Sequence, residues 1–365
     1  LYASHYLGLA CHALGDYRRA SELLRAVVQS PQAEWGTGAF GGTVIGSWEA
    51  YQAINLAWLA RCLAELGEFE EGVAAGRQAV ATAERLDSPY SLTAACIGLG
   101  YICLVRGDLD AAGPVLERAC GVAREANLTL LRPQATRLLG ASYLLAGRID
   151  DGVALVRAAA DEVESRRLLM QQGAVLGVLG EAFLCADRGD EATAAAQTAL
   201  TLARERGQRG DAAVALRVLG DASARDPGDL QRAEHHYLAA VALAEELEMR
   251  PQLARGHLGI GRLYLRAGDR GRAEDHLLLA TRLFSAMDMP LWLQQAALSL
   301  GELGRLLIVA RDLHGLYECL SRTLGAGGPI RVLLDGRQDW PGMEDQGSRQ
   351  RVETMLQSRG LSMTG

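Results

Sequence analysis

The amino-acid sequence predicts an all-α solenoid of about eight antiparallel helix hairpins, with a period near 40 residues. Three observations predict this fold: a turn that recurs at a fixed spacing, small residues at fixed distances from that turn, and a composition rich in helix formers. Aromatic residues account for only 5% of the 365 residues. The unbroken period favours one elongated array over two compact domains.

A short turn divides each repeat into two apolar-periodic segments. Glycine ends the first segment because it adopts a positive φ without a Cβ clash, and a following acidic residue caps the second by accepting bonds from free N–H groups. The turn and its variants recur at Gly15-Asp16, Gly67-Glu68, Gly107-Asp108, Gly147-Arg148, Asp187-Arg188, Gly228-Asp229 and Gly268-Asp269. From Gly67 onward the steps are 40, 40, 40, 41 and 40 residues, whereas the step from Gly15 to Gly67 is 52. The longer step predicts an inserted Gly-rich loop at 31–46.

Small residues keep the same period on both sides of the turn. Those in the first segment are Gly8, Ala60, Gly100, Gly140, Gly180, Gly220 and Gly261. Those in the second are Ala20, Gly72, Ala112, Gly152, Ala192, Ala233 and Ala273. A glycine inside a helix costs about 0.5–1 kcal/mol relative to alanine, so this pattern predicts close approach of paired helices at these positions.

These residues carry a resemblance to a known repeat. Leu-Gly, an aromatic residue three positions later (Tyr143, Phe183, Tyr264), a turn glycine and then a small residue resemble the tetratricopeptide repeat, which usually has 34 residues. Segments such as "YLGLACHALGDYRRA" and "GHLGIGRLYLRAGDRGRAEDHLLLATRLFSAMDM" resemble the C-terminal helical region of large bacterial signalling proteins. Those proteins join a class III adenylate/guanylate cyclase domain, or another effector, to a STAND/AAA-type ATPase. The resemblance covers about residues 1–300.

The resemblance implies a function. It implies a non-catalytic sensor module that binds a protein or peptide partner, with the upstream ATPase and cyclase domains of the same chain as one candidate. The alternative is the equivalent arm of a STAND-type transcription regulator, because similar arrays follow those ATPases. An enzyme within this chain is the least favoured hypothesis. The expected location is cytoplasmic, because no signal peptide or long apolar run is evident.

Composition excludes several kinds of chemistry. All 37 basic residues are Arg, so the chain has no lysine for a phosphate-binding loop, a Schiff base or general-base catalysis. The net charge of −7 gives no support to binding of nucleic acid or a membrane. The seven cysteines form no CxxC pair and are interpreted as reduced core residues. "GTGAFG" at 36–41 lacks the strand and helix of a dinucleotide site. We therefore predict no catalytic residues, cofactor or metal.

A candidate partner-binding surface follows from the repeat. In the first helix of each hairpin, the residue after the small marker and the residue four positions earlier share one face. In tetratricopeptide-like arrays this face lines the concave groove. The candidate residues are Arg61, Tyr101, Arg137, Glu181, Arg217, Asp221 and Arg262. They mix both signs of charge, which suits a peptide or protein segment better than a nucleic acid.

The C-terminal part of the sequence departs from the period. Residues 1–324 are interpreted as the array, with a degenerate capping hairpin at 291–324 that keeps helical periodicity but lacks the turn glycine. Residues 325–365 are interpreted as an irregular tail in which "IRVLL" forms a short strand. The sequence begins inside a helix of the first repeat, which leads us to interpret it as part of a longer protein.

Overall fold

The computed structural model describes residues 2–30 and 47–302 and two short strands at 306–310 and 330–334. The predicted Gly-rich loop at 31–46 and nearly all of the predicted tail lie outside the described residues. So does the boundary between array and tail at residue 324, which therefore stays a prediction.

Antiparallel helices make up nearly all of the described chain. The first seven are α1 (Tyr2–Leu14), α2 (Tyr17–Gln29), α3 (Trp48–Leu66), α4 (Phe69–Glu84), α5 (Pro89–Arg106), α6 (Leu109–Glu125) and α7 (Arg132–Leu145). The next eight are α8 (Ile149–Ser165), α9 (Leu169–Cys185), α10 (Gly189–Glu205), α11 (Arg209–Ser223), α12 (Leu230–Glu246), α13 (Arg250–Arg266), α14 (Arg270–Ala286) and α15 (Pro290–Glu302). Each odd-numbered helix from α1 to α13 pairs with the next even-numbered one, which gives seven hairpins before α15 in the described part of the chain.

The predicted turn chemistry is confirmed at most hairpins. Glycine takes a positive φ at Gly15, Gly67, Gly107, Gly147 and Gly268. The carboxylates of Asp16, Asp108 and Asp269 each accept the backbone N–H three residues later, at 3.1, 3.2 and 3.1 Å. The variant turn at Asp187-Arg188 lacks glycine but keeps the geometry, because Asp187 itself takes φ 58°. The predicted acidic cap is therefore confirmed at Asp16, Asp108 and Asp269 and is wrong at Glu68, whose side chain makes no cap hydrogen bond.

The turn at Gly228 differs from the prediction. Helix α11 ends at Ser223, and Pro227–Asp229 forms a 3-10 turn in which Gly228 donates its N–H to the Asp226 carboxylate at 2.8 Å. Gly228 does not adopt a positive φ, so it does not end the preceding helix as the other turn glycines do. Proline fixes its own φ and favours a tight turn, which explains the extra residue in this repeat.

A second regular turn, between consecutive hairpins, was not predicted from the sequence. Left-handed residues end the second helices, at Asp87, Asn127, Arg167, Gly207, Glu248 and Asp288. Their spacing is 40, 40, 40, 41 and 40 residues, the same as the spacing of the first turn. Only one of the six is glycine, so composition does not reveal this turn.

Arg167→Gly is expected to raise the free energy of unfolding by about 0.5–1 kcal/mol. Arg167 is exposed and has φ 54°, a conformation that strains a side chain and suits glycine. Urea denaturation measures the change. The neighbouring Arg166 has φ −91°, so Arg166→Gly serves as a control and should lower stability. Loss of stability in both variants would contradict the strained turn.

The small residues of the first helices lie at helix contacts, as predicted. A β-carbon added to Gly140 would lie 2.6 Å from Cγ2 of Val156 on α8, and one added to Gly180 would lie 2.9 Å from Cγ1 of Val218 on α11. Gly100 has the same relation to Leu116 on α6. The periodic small residues therefore set the distance between neighbouring helices.

The capping hairpin predicted at 291–324 needs a correction. Its first helix is present as α15, but Leu306–Ala310 forms a strand, β1. Strand β1 pairs in parallel with β2 (Ile330–Leu334), with Leu306 opposite Ile330. The β2 segment is the "IRVLL" predicted as a strand. The segment "LLIVA" contains two β-branched residues in a short apolar run, a composition that suits a strand as well as a buried helix.

Helix α5 is long and apolar enough to cross a membrane by length and composition alone. This finding differs from our expectation that no such run exists. Its 18 residues are 61% buried within the fold, between α3 and α6. A helix enclosed by neighbours satisfies the same test as a membrane span, so its composition follows from its central place in the core.

The array coils until its early hairpins touch its late ones. Helix α1 contacts α11, and α3 contacts α13. Arg18 donates to Glu248 at 2.9 Å, and the indole Nε1 of Trp292 donates to the carbonyl oxygen of Val105 at 3.2 Å. Arg106 pairs with Asp288 at the same junction. These contacts join hairpins far apart in sequence and turn the concave face into a central channel.

Candidate partner-binding channel

The channel has a volume of about 1010 Å³ and is lined mainly by the first helices of the hairpins. Each first helix from α3 to α13 presents the residue one position after its small marker and the residue four positions beyond that. The first column is Arg61, Tyr101, Ala141, Glu181, Asp221 and Arg262. The second column is Glu65, Val105, Leu145, Cys185, Arg225 and Arg266. The 40-residue period therefore places one ring of side chains after another along the channel wall.

All seven residues predicted for the concave face line this channel. They are Arg61, Tyr101, Arg137, Glu181, Arg217, Asp221 and Arg262. Arg137 and Arg217 lie four residues before the first-column residue of their own helix. Residues at this position line the channel in the middle repeats only. The structure thus brings the seven together on one surface, and their role in binding stays a proposal.

The C-terminal half of the channel contains a network of paired charges, while Arg262 there donates to Ser299 at 2.9 Å. Arg217 pairs with Glu181 and, at 2.6 Å, with Asp221, while Arg255 donates to Glu181 at 2.9 Å. The Tyr237 hydroxyl donates to the other Asp221 oxygen at 2.6 Å. Burial alone would raise the pKa of Glu181, but Arg255 and Arg217 outweigh it and hold the pKa below its ordinary value. This network joins α9, α11, α12 and α13.

The N-terminal half of the channel has a different arrangement. The Tyr101 hydroxyl donates to Glu65, and the Arg61 guanidinium lies over the Trp58 ring, 4.1 Å from its centroid. Arg61 Nη1 donates to Oε1 of Gln134 on α7 at 3.2 Å. A carboxylate oxygen of Asp211 lies beside Gly173, 3.2 Å from where a β-carbon would stand. Arg61 and Arg137 therefore share this region with the carboxyl groups of Glu65 and Asp211. Among the described residues, no ion pair within 4.0 Å joins these arginines to a carboxylate.

Burial shifts the ionisation of this N-terminal cluster. It raises the pKa of Glu65 to about 7, although the Tyr101 hydrogen bond opposes the shift, and the pKa of Asp211 to about 6, against Arg137 and Arg61. Burial also lowers the pKa of Arg137 and of Arg61. It lowers the pKa of His12 to about 3, so this imidazole is neutral at pH 7. Each shift reflects the cost of holding a charge away from water.

Sequence reasoning missed several channel residues. Glu65 and Arg266 would have been found by extending the i, i+4 rule one further turn toward the C-terminus. Tyr17 and Asp211 follow no such rule. Tyr17 comes from a second helix and reaches the channel where α1 meets α11, and Asp211 lies in the first turn of α11. Their position depends on how tightly the array coils, which a repeat pattern does not specify.

Glu65→Gln is expected to stabilise the protein by about 1–2 kcal/mol at pH 8 and to have little effect at pH 4. The folded chain keeps the Glu65 proton between its ordinary pKa of 4.5 and its raised pKa of about 7, where the unfolded chain has lost it. Wild-type stability therefore falls as pH rises through that window, and glutamine removes the loss while still accepting from Tyr101. Urea denaturation at both pH values measures the difference.

The exposed carboxylate of Glu125 provides a control, since Glu125→Gln should change stability by less than about 0.5 kcal/mol at either pH. Equal stabilities of wild type and Glu65→Gln at pH 8 would contradict the raised pKa.

One cysteine departs from the predicted core role. Cys62, Cys96 and Cys103 are buried, as predicted, and Cys11 and Cys120 are partly buried. Cys185, the last residue of α9, is exposed and lines the channel. Cys319 lies outside the described residues.

Comparison with known proteins supports the fold. No protein-family model and no curated protein matches this chain. The Rap conjugation gene regulator of plasmid pLS20, solved with the Phr* peptide, is similar with a TM-score of 0.61 and 15% identity, over 82% of this chain and 76% of that one.

Two further solved structures are similar at low identity. A Rap protein complexed with Competence and Sporulation Factor has a TM-score of 0.53 and 13% identity, over 83% of this chain and 81% of that one. Aspartyl phosphate phosphatase F from Bacillus subtilis has a TM-score of 0.55 and 11% identity, over 77% and 69%. The chain is therefore a tetratricopeptide-like α-solenoid, coiled around a channel that the first helices of its hairpins line.

Proposed function

We propose that this chain is a non-catalytic regulatory module that binds a peptide, or an extended segment of a protein, inside the central channel. The observation that carries the proposal is the channel wall, where apolar and oppositely charged side chains alternate on rigid helices. The apolar part of the wall includes Leu104, Val105, Leu138, Leu144, Leu145, Val178, Val214, Leu265 and Leu298. A polypeptide offers apolar side chains and polar backbone groups together, so it matches both parts of this surface.

One of the similar structures supports a peptide ligand, because it contains the Phr* peptide. Another is of a Rap protein complexed with Competence and Sporulation Factor. Identities of 15% and 13% establish the fold alone, so a peptide ligand for this chain is a proposal. The interleaved acidic side chains oppose a nucleic acid, whose phosphates need a basic surface.

For the larger context, we propose that the module is the sensor arm of a bacterial signalling ATPase linked to a nucleotide cyclase. The support is the sequence resemblance over about residues 1–300. The second candidate is the arm of a STAND-type transcription regulator. Sequencing the gene upstream of the codon for Leu1 separates them: a cyclase domain supports the first, and a DNA-binding domain supports the second.

Affinity selection with a pool of synthetic random decapeptides tests the binding proposal. The purified chain is mixed with the pool, separated by size exclusion, and the retained peptides are identified by mass spectrometry. Ala174→Trp places a large ring in the channel and should reduce retention at least tenfold. The control, Gln197→Trp, lies on an exposed face of the second helix α10 and should retain the same peptides. No retention by the wild type, or equal retention by Ala174→Trp, would overturn the proposal.

An enzymatic role is the third possibility. The similarity to aspartyl phosphate phosphatase F, at 11% identity, establishes the fold alone and gives no support to phosphatase activity in this chain. Incubation of the purified chain with ATP and magnesium tests the non-catalytic assignment. Phosphate or cyclic-nucleotide release that is lost in Ala174→Trp would contradict it.

A further inference from the structure

The arginines that line the channel differ in how their charges are satisfied. In the C-terminal half, Arg217 and Arg255 share the Glu181 carboxylate, and Arg217 also pairs with Asp221. In the N-terminal half, Arg61 and Arg137 have no carboxylate oxygen within 4.0 Å among the described residues. Guanidinium groups are rarely left inside a fold without an anion, because burial removes their hydration.

Both arginines have donors that no described residue satisfies. Arg61 uses Nη1 on Gln134, and its Nε is buried without a hydrogen-bond partner among the described residues. Arg137 makes no hydrogen bond or ion pair within the part of the chain that the structure describes. Gln134 and Arg137 stand three residues apart on α7, so the contact to Gln134 places the Arg61 guanidinium one helical turn from Arg137.

We propose that Arg61 and Arg137 together bind a carboxylate of the peptide that occupies the channel. The inference rests on the proposed peptide-binding function and assigns the chemistry of one subsite. The planar guanidinium presents parallel N–H donors that match the two oxygens of a carboxylate. The carboxylate comes either from the peptide C-terminus or from an Asp or Glu side chain.

The neighbouring acids favour a monoanion over a dianion such as phosphate. Glu65 and Asp211 face the same space, and each ionises near neutral pH because burial raises its pKa to about 7 and about 6. When both are ionised they already balance the two arginines, and a second negative charge on the ligand would add repulsion. A single carboxylate, bound with one or both acids protonated, keeps the site close to neutral.

The same acids couple binding to protons. The other titratable groups that face the site are His12 on α1, Tyr17 on α2, Cys62 on α3, Tyr101 on α5 and Glu181 on α9. Burial holds His12 neutral above pH 4 and raises the pKa of the phenols and of the Cys62 thiol, so none of these changes charge between pH 6 and pH 8. Glu181 stays ionised beside its arginines. Glu65 and Asp211 therefore set the pH response.

Decapeptides retained from the random pool serve as probes in the test. Each is synthesised in three forms: unmodified, with a C-terminal amide, and with its Asp and Glu replaced by Asn and Gln. Removing the required carboxylate should weaken binding by tenfold or more, measured by calorimetry. Weaker binding of the C-terminal amide identifies the peptide C-terminus as the bound carboxylate. Weaker binding of the Asn/Gln form identifies an Asp or Glu side chain as the bound carboxylate. Affinity should rise at least threefold from pH 8 to pH 6.

Arg137→Gln should abolish both the carboxylate preference and the pH response while leaving the helical circular dichroism unchanged. It removes a charge that burial disfavours, so the variant is expected to fold. Arg118→Gln, on an exposed face of α6, is the control and should preserve both.

Retained peptides that bind equally in all three forms, or that keep their carboxylate preference on Arg137→Gln, would overturn the subsite while leaving the channel function intact. Failure of the pool to yield any peptide would remove the proposed function and the subsite with it.

Discussion

Gly98→Ala is expected to lower the free energy of unfolding by about 2–4 kcal/mol. Gly98 is buried in α5, where a β-carbon would lie 2.6 Å from the carbonyl oxygen and 2.8 Å from Cα of Ala57 on α3. These are backbone atoms, so no side-chain rotation relieves the overlap and the two helices must separate. Overpacking of this kind costs more than the about 1 kcal/mol that alanine gains in helix propensity.

A matched control uses the same substitution in open space. Gly121 lies in α6, and a β-carbon there would have no neighbour within 4 Å. Gly121→Ala should therefore raise the free energy of unfolding by about 0.5–1 kcal/mol through propensity alone. Urea denaturation at pH 7 compares the two variants, which should shift in opposite directions. If Gly98→Ala is as stable as wild type, α3 and α5 are farther apart than the structure places them.

Sequence alone predicts the local repeat well and the closure of the channel not at all. The small markers Gly140 and Gly180 predicted helix contacts that the structure confirms, because close packing leaves a periodic trace in composition. The same period placed Arg61 and Glu181 on one concave face, because identical hairpins repeat the same side-chain directions. Both predictions depend on contacts between neighbours in sequence.

The closure depends on distant contacts that leave no period. The hydrogen bond from Trp292 to the carbonyl oxygen of Val105 joins residues 187 positions apart, and the Arg18–Glu248 contact spans 230. Small rotations at each hairpin accumulate over the array and decide whether such groups meet. The left-handed residues between hairpins, such as Arg167 and Glu248, set part of that rotation with side chains that carry no turn signature.

Glu181→Gln is expected to destabilise the protein by about 3–5 kcal/mol at pH 7. The substitution keeps the shape of the side chain but removes the shared counter-charge of Arg217 and Arg255. The Arg217 side chain is only 6% exposed and keeps Asp221 as its remaining partner, whereas Arg255 has its ion pair with Glu181 alone among the described residues. Breaking a buried pair from one side costs this much because it leaves an uncompensated charge.

The pH dependence of this loss separates an ion pair from a packing defect. Because the arginines hold the pKa of Glu181 below its ordinary value of 4.5, its contribution is present above that pH and is lost as pH falls through the folded-state pKa. The difference in free energy of unfolding between wild type and Glu181→Gln should therefore shrink below pH 4, whereas the difference for Glu65→Gln grows with rising pH.

The exposed pair Arg118–Glu84 is the control, since both side chains are 45% exposed and Glu84→Gln should cost less than about 1 kcal/mol. Urea midpoints for the three variants at pH 3.5, 7 and 8 make the comparison. A Glu181→Gln loss that does not change with pH would contradict the ion pairs to Arg217 and Arg255 as its cause.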